Sequence, residues 1–124
     1  MTTVAQWFTE RGYNVVDVAL QNLGWDLEAH LGELCLRLEV KGTSASPETF
    51  SVELTPNEFR NMGEPAARGT YRLCVVTDAE SKPRLQTYAW SPERNAWCGS
   101  DEGHMLDIRE LVGARVYSRS ERSR

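Results

Sequence analysis

Asp26, Glu39 and Lys41 are of the types that hold a divalent cation and manage a water beside it, and one β-hairpin can bring all three together. Residues 25–41 read WDLEAHL, Gly32-Glu33, LCLRLEVK: two alternating strands around a dipeptide that suits a two-residue type II′ turn. Closing the hairpin there sets Leu31 opposite Leu34, Ala29 opposite Leu36, Leu27 opposite Leu38 and Trp25 opposite Val40. Every apolar residue then meets an apolar partner on one face. The other face pairs His30 with Cys35, Glu28 with Arg37 and Asp26 with Glu39, and side-chain alternation adds Lys41 to it. A one-residue slip would mix the two faces, so the register is well specified.

Two facing carboxylates stand roughly 5 Å apart at Cβ and destabilise a sheet unless something offsets their repulsion. A bridging Mg²⁺ is the simplest offset, since it takes one or two carboxylates together with water and phosphate oxygens. A lysine alongside would orient or deprotonate a water. The competing reading is an exposed strand face with incidental charges. Lysine usage weighs against it: of 14 basic residues only Lys41 and Lys82 are lysines. A Lys placed in a strand of such a chain suggests a role that the permanently charged Arg cannot fill. Glu80-Ser81-Lys82 has the same E-x-K spacing in a turn without a facing acidic strand, so spacing alone carries nothing.

The elements that must position these residues follow from pattern and punctuation. Val4, Trp7, Phe8 and Arg11 recur at helical spacing, with Thr2 or Thr3 as N-cap and Gly12 as the stop. Residues 13–20 read as a strand, residues 43–49 as a loop, and Phe50, Val52 and Leu54 as another strand. Thr55-Pro56-Asn57-Glu58 is a helix start with a capping box, and that helix runs to about Met62. Residues 71–77 form a buried strand. Residues 85–90 and a piece near Trp97 add antiparallel strands. Ile108, Leu111 and Val112 suggest a helical turn, and 114–117 a last extended piece. A single domain over 1–117 is expected, with a basic, Ser-rich, flexible tail at 118–124.

Composition sets outer bounds. At 124 residues and 40% hydrophobic content the chain suits one soluble core. No apolar run approaches the ~20 residues of a membrane span, and the first residues do not read as a signal peptide. Cys35, Cys74 and Cys98 form no C-x-x-C, which fits a reduced, cytoplasmic protein. A net charge of −4 argues mildly against non-specific nucleic-acid binding.

Helix, three-stranded meander, helix and strand, with Asp on the second strand and E-x-K on the third, resemble the PD-(D/E)xK nuclease superfamily. The closer likeness is to the nuclease-like domain at the C-terminus of NO VEIN proteins. Its motifs correspond to Gly24-Trp25-Asp26-Leu27, Glu39-Val40-Lys41-Gly42 and Leu54-Thr55-Pro56-Asn57-Glu58, with Gly12-Tyr13-Asn14-Val15 entering the first strand. The resemblance covers about residues 4–78. It implies an α/β fold with a restriction-endonuclease-like core: a mixed central β-sheet flanked by helices in α-β-β-β-α-β order, with extra C-terminal antiparallel strands. It also implies that Asp26, Glu39 and the Val40 carbonyl hold Mg²⁺ (or Mn²⁺), while Lys41 positions the attacking water and stabilises charge on the phosphate.

One departure stands out. Active relatives often carry a further glutamate on the first helix, where this chain has no acid before Glu10. Either Glu10 substitutes, or a partner completes the site, or catalysis is weakened. The leading expectation is a Mg²⁺-dependent endonuclease, a DNA-binding hydrolase in a restriction or defence setting, as a homodimer or within a larger parent protein. The alternative is a nuclease-fold module that binds nucleic acid or a protein without cutting.

Other candidates read more plainly. Ser44, Asn57 and Arg60 border the site and could contact phosphates; for Thr55 and Glu58 helix capping suffices. Glu28 is expected to pair with Arg37 rather than serve as a second metal ligand. His30 and Cys35 fall short of the about four ligands zinc needs, so a packed or solvent-facing His is expected. Trp25, Trp90 and Trp97 could stack bases, with core packing the better reading for Trp25.

Overall fold

The computed structural model describes residues 2–100, 103–110 and 114–121. Helix α1 (Thr2–Glu10) buries Val4 and Phe8, and the chain leaves it through Gly12 at φ +90°. Strand β1 (Asn14–Asp17) is shorter than its sequence suggests. Asp17 Oδ1 accepts the Ala19 N–H at 3.0 Å, which turns the chain into a 3-10 turn over Ala19–Gln21. Local side-chain capping has won over the β-branched run.

β2 (Leu27–Leu31) and β3 (Leu34–Gly42) form the expected hairpin, with Leu27↔Leu38, Ala29↔Leu36, His30↔Cys35 and Leu31↔Leu34 as rungs. Gly32 has φ +58° while Glu33 stays at negative φ, as a type II′ turn requires. The ladder stops at Leu27, so neither Trp25–Val40 nor Asp26–Glu39 is a backbone pair. Instead the Asp26 N–H donates to Leu38 O at 2.8 Å, and Asp26 Oδ2 accepts the Val40 N–H at 2.9 Å. A carboxylate takes the place of the missing strand.

β4 (Ser51–Leu54), α2 (Pro56–Gly63) and β5 (Tyr71–Thr77) follow. Thr55 caps α2, and the Glu58 carboxylate completes the box by accepting the Thr55 N–H. β5 lies parallel to β3 and is buried along nearly its whole length, as its continuous apolar run predicts. β6 (Arg84–Ser91), β7 (Ala96–Gly99), β8 (His104–Glu110) and β9 (Ala114–Ser120) extend the sheet in antiparallel fashion. The resulting order is β1-β2-β3-β5-β6-β7-β8-β9-β4.

Three expectations need correction. Ile108 is a strand residue in β8 paired with Val116, not part of a helical turn; Leu111 and Val112 lie outside the described residues. So short an apolar run cannot separate helical from strand period. The last strand also runs longer than the expected 114–117, because β9 continues to Ser120; residues 122–124 are outside the described set. Finally, β4 interrupts the expected α-β-β-β-α-β order and pairs with β9 at the far edge. The mixed α/β class itself holds.

Two apolar layers result. α1 covers one face, where Val4 and Phe8 pack with Leu36, Leu38, Cys74 and Val76. On the other face Phe50, Met62, Tyr71, Leu73, Val75, Tyr88 and Val116 form a second core. β4 at the sheet's end thus packs on β5 and β6 at its middle, so the sheet curls over this face. Among the described residues no helix is long and apolar enough to cross a membrane.

Candidate active site

The site begins with a glycine. Gly24 has φ +102°, and a Cβ there would lie 2.4 Å from Asn61 Nδ2 and 3.2 Å from Asn57 Nδ2. Only a bare backbone lets the 24–26 segment lie against α2 in this conformation. The buried Tyr71 hydroxyl donates to Gly24 O at 2.9 Å and fixes the segment to β5. Asp26 emerges from this anchor at the open end of the hairpin.

Glu39 and Lys41 stand on the α2 side of β3, beside Leu73 and Val75 of β5. Arg37 N–H bonds to Thr70 O and Thr43 N–H to Val76 O. In a parallel ladder alternate residues share a neighbour, so Glu39 and Lys41 also bond toward β5. The Val40 N–H and C=O therefore face β2, where the ladder has ended and the Asp26 carboxylate stands.

Glu39 is 1% exposed. Its Oε2 lies 3.4 Å from Lys41 Nζ, and its Oε1 is buried without a hydrogen-bond partner. Burial, then the charges of Asp26 and Glu58, push its carboxyl up to about 9, against the pull of Lys41. Lys41 makes its closer contact with Glu58, 2.9 Å from Nζ to Oε1. Burial alone would lower the lysine's pKa, but the bond to Glu58 and the charge of Glu39 raise it. For Glu58, burial is outweighed by the Thr55 N–H and Lys41, which hold its carboxyl low. At neutral pH the arrangement is an ammonium bound to an ionised Glu58 beside a protonated Glu39.

A buried carboxyl forced to keep its proton, with one oxygen unpaired, is a site a cation would relieve. The donors fit a hard divalent ion: the Asp26 and Glu39 oxygens and the Val40 carbonyl, with no sulfur or imidazole among them.

Glu58 does more than the helix capping expected of it. The structure gives its Oε1 two bonds, to the Thr55 N–H at 2.9 Å and to Lys41. The capping box was the signal, because the N3 position that caps α2 also aims the carboxylate at β3. Glu10 does not substitute for the absent acid. It is exposed at the end of a helix that covers the opposite face. Tyr71, likewise unforeseen, acts as the anchor for Gly24.

The remaining candidates are dispersed. Ser44 is exposed in the loop after β3 and Arg60 on α2. Arg60 donates to Asn57 Oδ1 at 2.7 Å, and Asn57 packs against Gly24, so its role is partly structural. The expected Glu28–Arg37 pair does not form. Arg37 donates to Ala67 O and to Thr70 Oγ1 and lies over the Trp25 ring. Glu28 accepts from Trp25 Nε1 at 3.1 Å and meets His30. Trp97 is core; Trp25 and Trp90 pack half-buried against it. Lys82 is exposed in its turn, as befits the counterexample.

Among curated proteins no match is found. A family model does match, over residues 1–88, and that span contains Gly24, Asp26, Glu39, Lys41, Glu58 and Tyr71. With most of its length and the whole candidate site inside that match, the chain belongs to the family described as Protein NO VEIN, C-terminal.

Proposed function

We propose that this domain is a metal-dependent nuclease of the PD-(D/E)xK type that cleaves DNA phosphodiester bonds, with Asp26, Glu39 and Lys41 as its catalytic set. The observation that carries this reading is the Glu39 carboxyl, buried, raised to about 9 and unpaired at Oε1 beside Asp26. The β1–β2–β3 meander, α2 and the parallel β5 support a restriction-endonuclease-like core.

Asp26, Glu39 and the Val40 carbonyl would hold Mg²⁺ or Mn²⁺. A bound ion supplies Lewis-acid polarisation of a phosphoryl oxygen and lowers the pKa of water. Glu39 must release its proton to take part. Lys41 stays protonated through Glu58, which suits it to orient the attacking water and stabilise charge on phosphate rather than act as a base. Tyr71 and Gly24 hold Asp26 in place. Ser44, in the loop after β3, and Arg60, on α2, are exposed and are proposed to contact the DNA backbone.

The test is cleavage of plasmid or linear DNA with Mg²⁺ or Mn²⁺ against a chelator control. Lys41→Ala should stay folded and lose activity by roughly 100-fold or more. Equal cleavage by wild type and variant overturns the reading. The lack of an acid on α1 before Glu10 favours a second reading, binding without cleavage. In that case wild type does not cut, and Asp26→Ala retains a DNA affinity that falls steeply with salt.

A further inference from the structure

Outside that site, the hairpin brings a different set of donors together. Glu28, His30 and Cys35 offer an oxygen, a nitrogen and a sulfur that all lie within 4.8 Å of one another. His30 Nε2 is 3.2 Å from Glu28 Oε1 and 3.8 Å from Cys35 Sγ. A tetrahedral Zn²⁺ with ordinary bond lengths separates its nitrogen from an oxygen by about 3.3 Å and from a sulfur by about 3.6 Å. We propose that Glu28, His30 and Cys35 form a second metal site, at the surface of the hairpin, for a thiophilic divalent cation of the zinc class.

The register creates this set. His30 and Cys35 are a rung, and Glu28 lies on the next rung of the same face. Arg37 opposite Glu28 would repel a cation, but its guanidinium is drawn to Ala67 O, Thr70 Oγ1 and the Trp25 ring. Trp25 Nε1 holds Glu28 Oε2, leaving Oε1 turned toward His30. That is the outer-shell bond that orients a ligating carboxylate. Among the described residues the His30 ring bonds to Glu28 and Cys35 alone, and the Cys35 thiol to His30 alone. All three residues are half-buried, which leaves a coordination position for water or an outside ligand.

Thiolate and imidazole select zinc-class ions over Mg²⁺, so this site and the oxygen-lined one should fill independently. Ligation takes the thiolate and the neutral imidazole, and the thiol proton passes to solvent. A bound ion would pin β2 to β3 two residues from Asp26.

The test uses the reduced, tag-free, chelator-stripped full chain, titrated with Co²⁺ and read by thiolate-to-cobalt charge-transfer absorption, then competed with Zn²⁺. One equivalent should produce the thiolate signal and Zn²⁺ should abolish it. Cys35→Ser should lose the signal, and His30→Ala should weaken binding by more than the ~10-fold typical of losing an outer-shell partner. Cys98→Ser, Asp26→Asn and Glu39→Gln should keep it. Circular dichroism checks that each variant is folded, and Glu28→Gln, which should also weaken binding, replaces a ligand variant that is not. Binding without a thiolate signal, binding equal in wild type and Cys35→Ser, or loss of the signal in Asp26→Asn overturns the proposal.

Discussion

Lys41 on β3 donates to Glu58 on α2 across 2.9 Å, and the same Glu58 oxygen accepts the N-cap amide of Thr55. One carboxylate thus closes the helix and fixes the lysine. The start of α2 and the aim of the Lys41 ammonium are therefore a single structural feature.

Glu58→Gln should separate the two roles. Glutamine can still complete a capping box, so Glu58→Gln should denature close to wild type. It removes the negative charge that holds Lys41, so cleavage should fall at an unchanged fold. Thr55→Ala removes only the cap and should cost about 1 kcal/mol, seen as a lower denaturant midpoint.

Asp26 is expected to show a sharp split between two substitutions. Asp26→Ala leaves the part-buried Val40 N–H without its acceptor, a loss of ~1–3 kcal/mol. Asp26→Asn keeps an acceptor and removes a charge that helps push the Glu39 carboxyl up. It should therefore match or exceed wild-type thermal stability in chelator. Melting both variants alongside wild type checks this; equal destabilisation by the two contradicts it.

Gly24→Ala should destabilise by ~1–3 kcal/mol through the backbone conformation alone, because φ there is +102°. The new Cβ also meets Asn61 Nδ2, an amide held by Asn57 O at 2.8 Å. Adding Asn61→Ala should recover only the steric part. Full recovery in the double variant would show that φ was not the constraint.

The hairpin was legible because each apolar residue had only one register that gave it an apolar partner; Leu27, Ala29 and Leu31 fixed it. Alternation carried the ladder on to Trp25, but Gly24's positive φ and Asp26's side-chain bond to Val40 end it two residues earlier. Local pattern cannot register a side chain standing in for a strand. Glu58 was legible as a cap and illegible as a partner of Lys41. That contact spans 17 residues and depends on how α2 settles on the sheet. The curl that returns β4 to β9 rests on pairings even farther apart in sequence, such as Val52 with Val116.

Glu39 gives the last prediction its sign. Its carboxyl rises from 4.5 to about 9 on folding, chiefly through burial and the charge of Asp26. The folded state thus binds this proton more tightly than the unfolded chain does. Stability linked to it is complete below the unfolded value and drains away as pH climbs toward the folded one, at no more than about 1.4 kcal/mol per pH unit. Glu39→Gln keeps the neutral shape and cannot ionise. In chelator it should match wild type near pH 5 and exceed it increasingly from pH 6 to pH 8. A divalent ion reverses the comparison, since it binds the ionised carboxylate and stabilises the folded form by mass action. Millimolar Mn²⁺ should raise the wild-type melting temperature, more at pH 8 than at pH 6, and leave Glu39→Gln nearly unmoved. Melts of both proteins across pH, with and without Mn²⁺, provide the measurement. Parallel pH curves with equal Mn²⁺ shifts would make Glu39 an ordinary buried residue and remove the metal from the proposed mechanism.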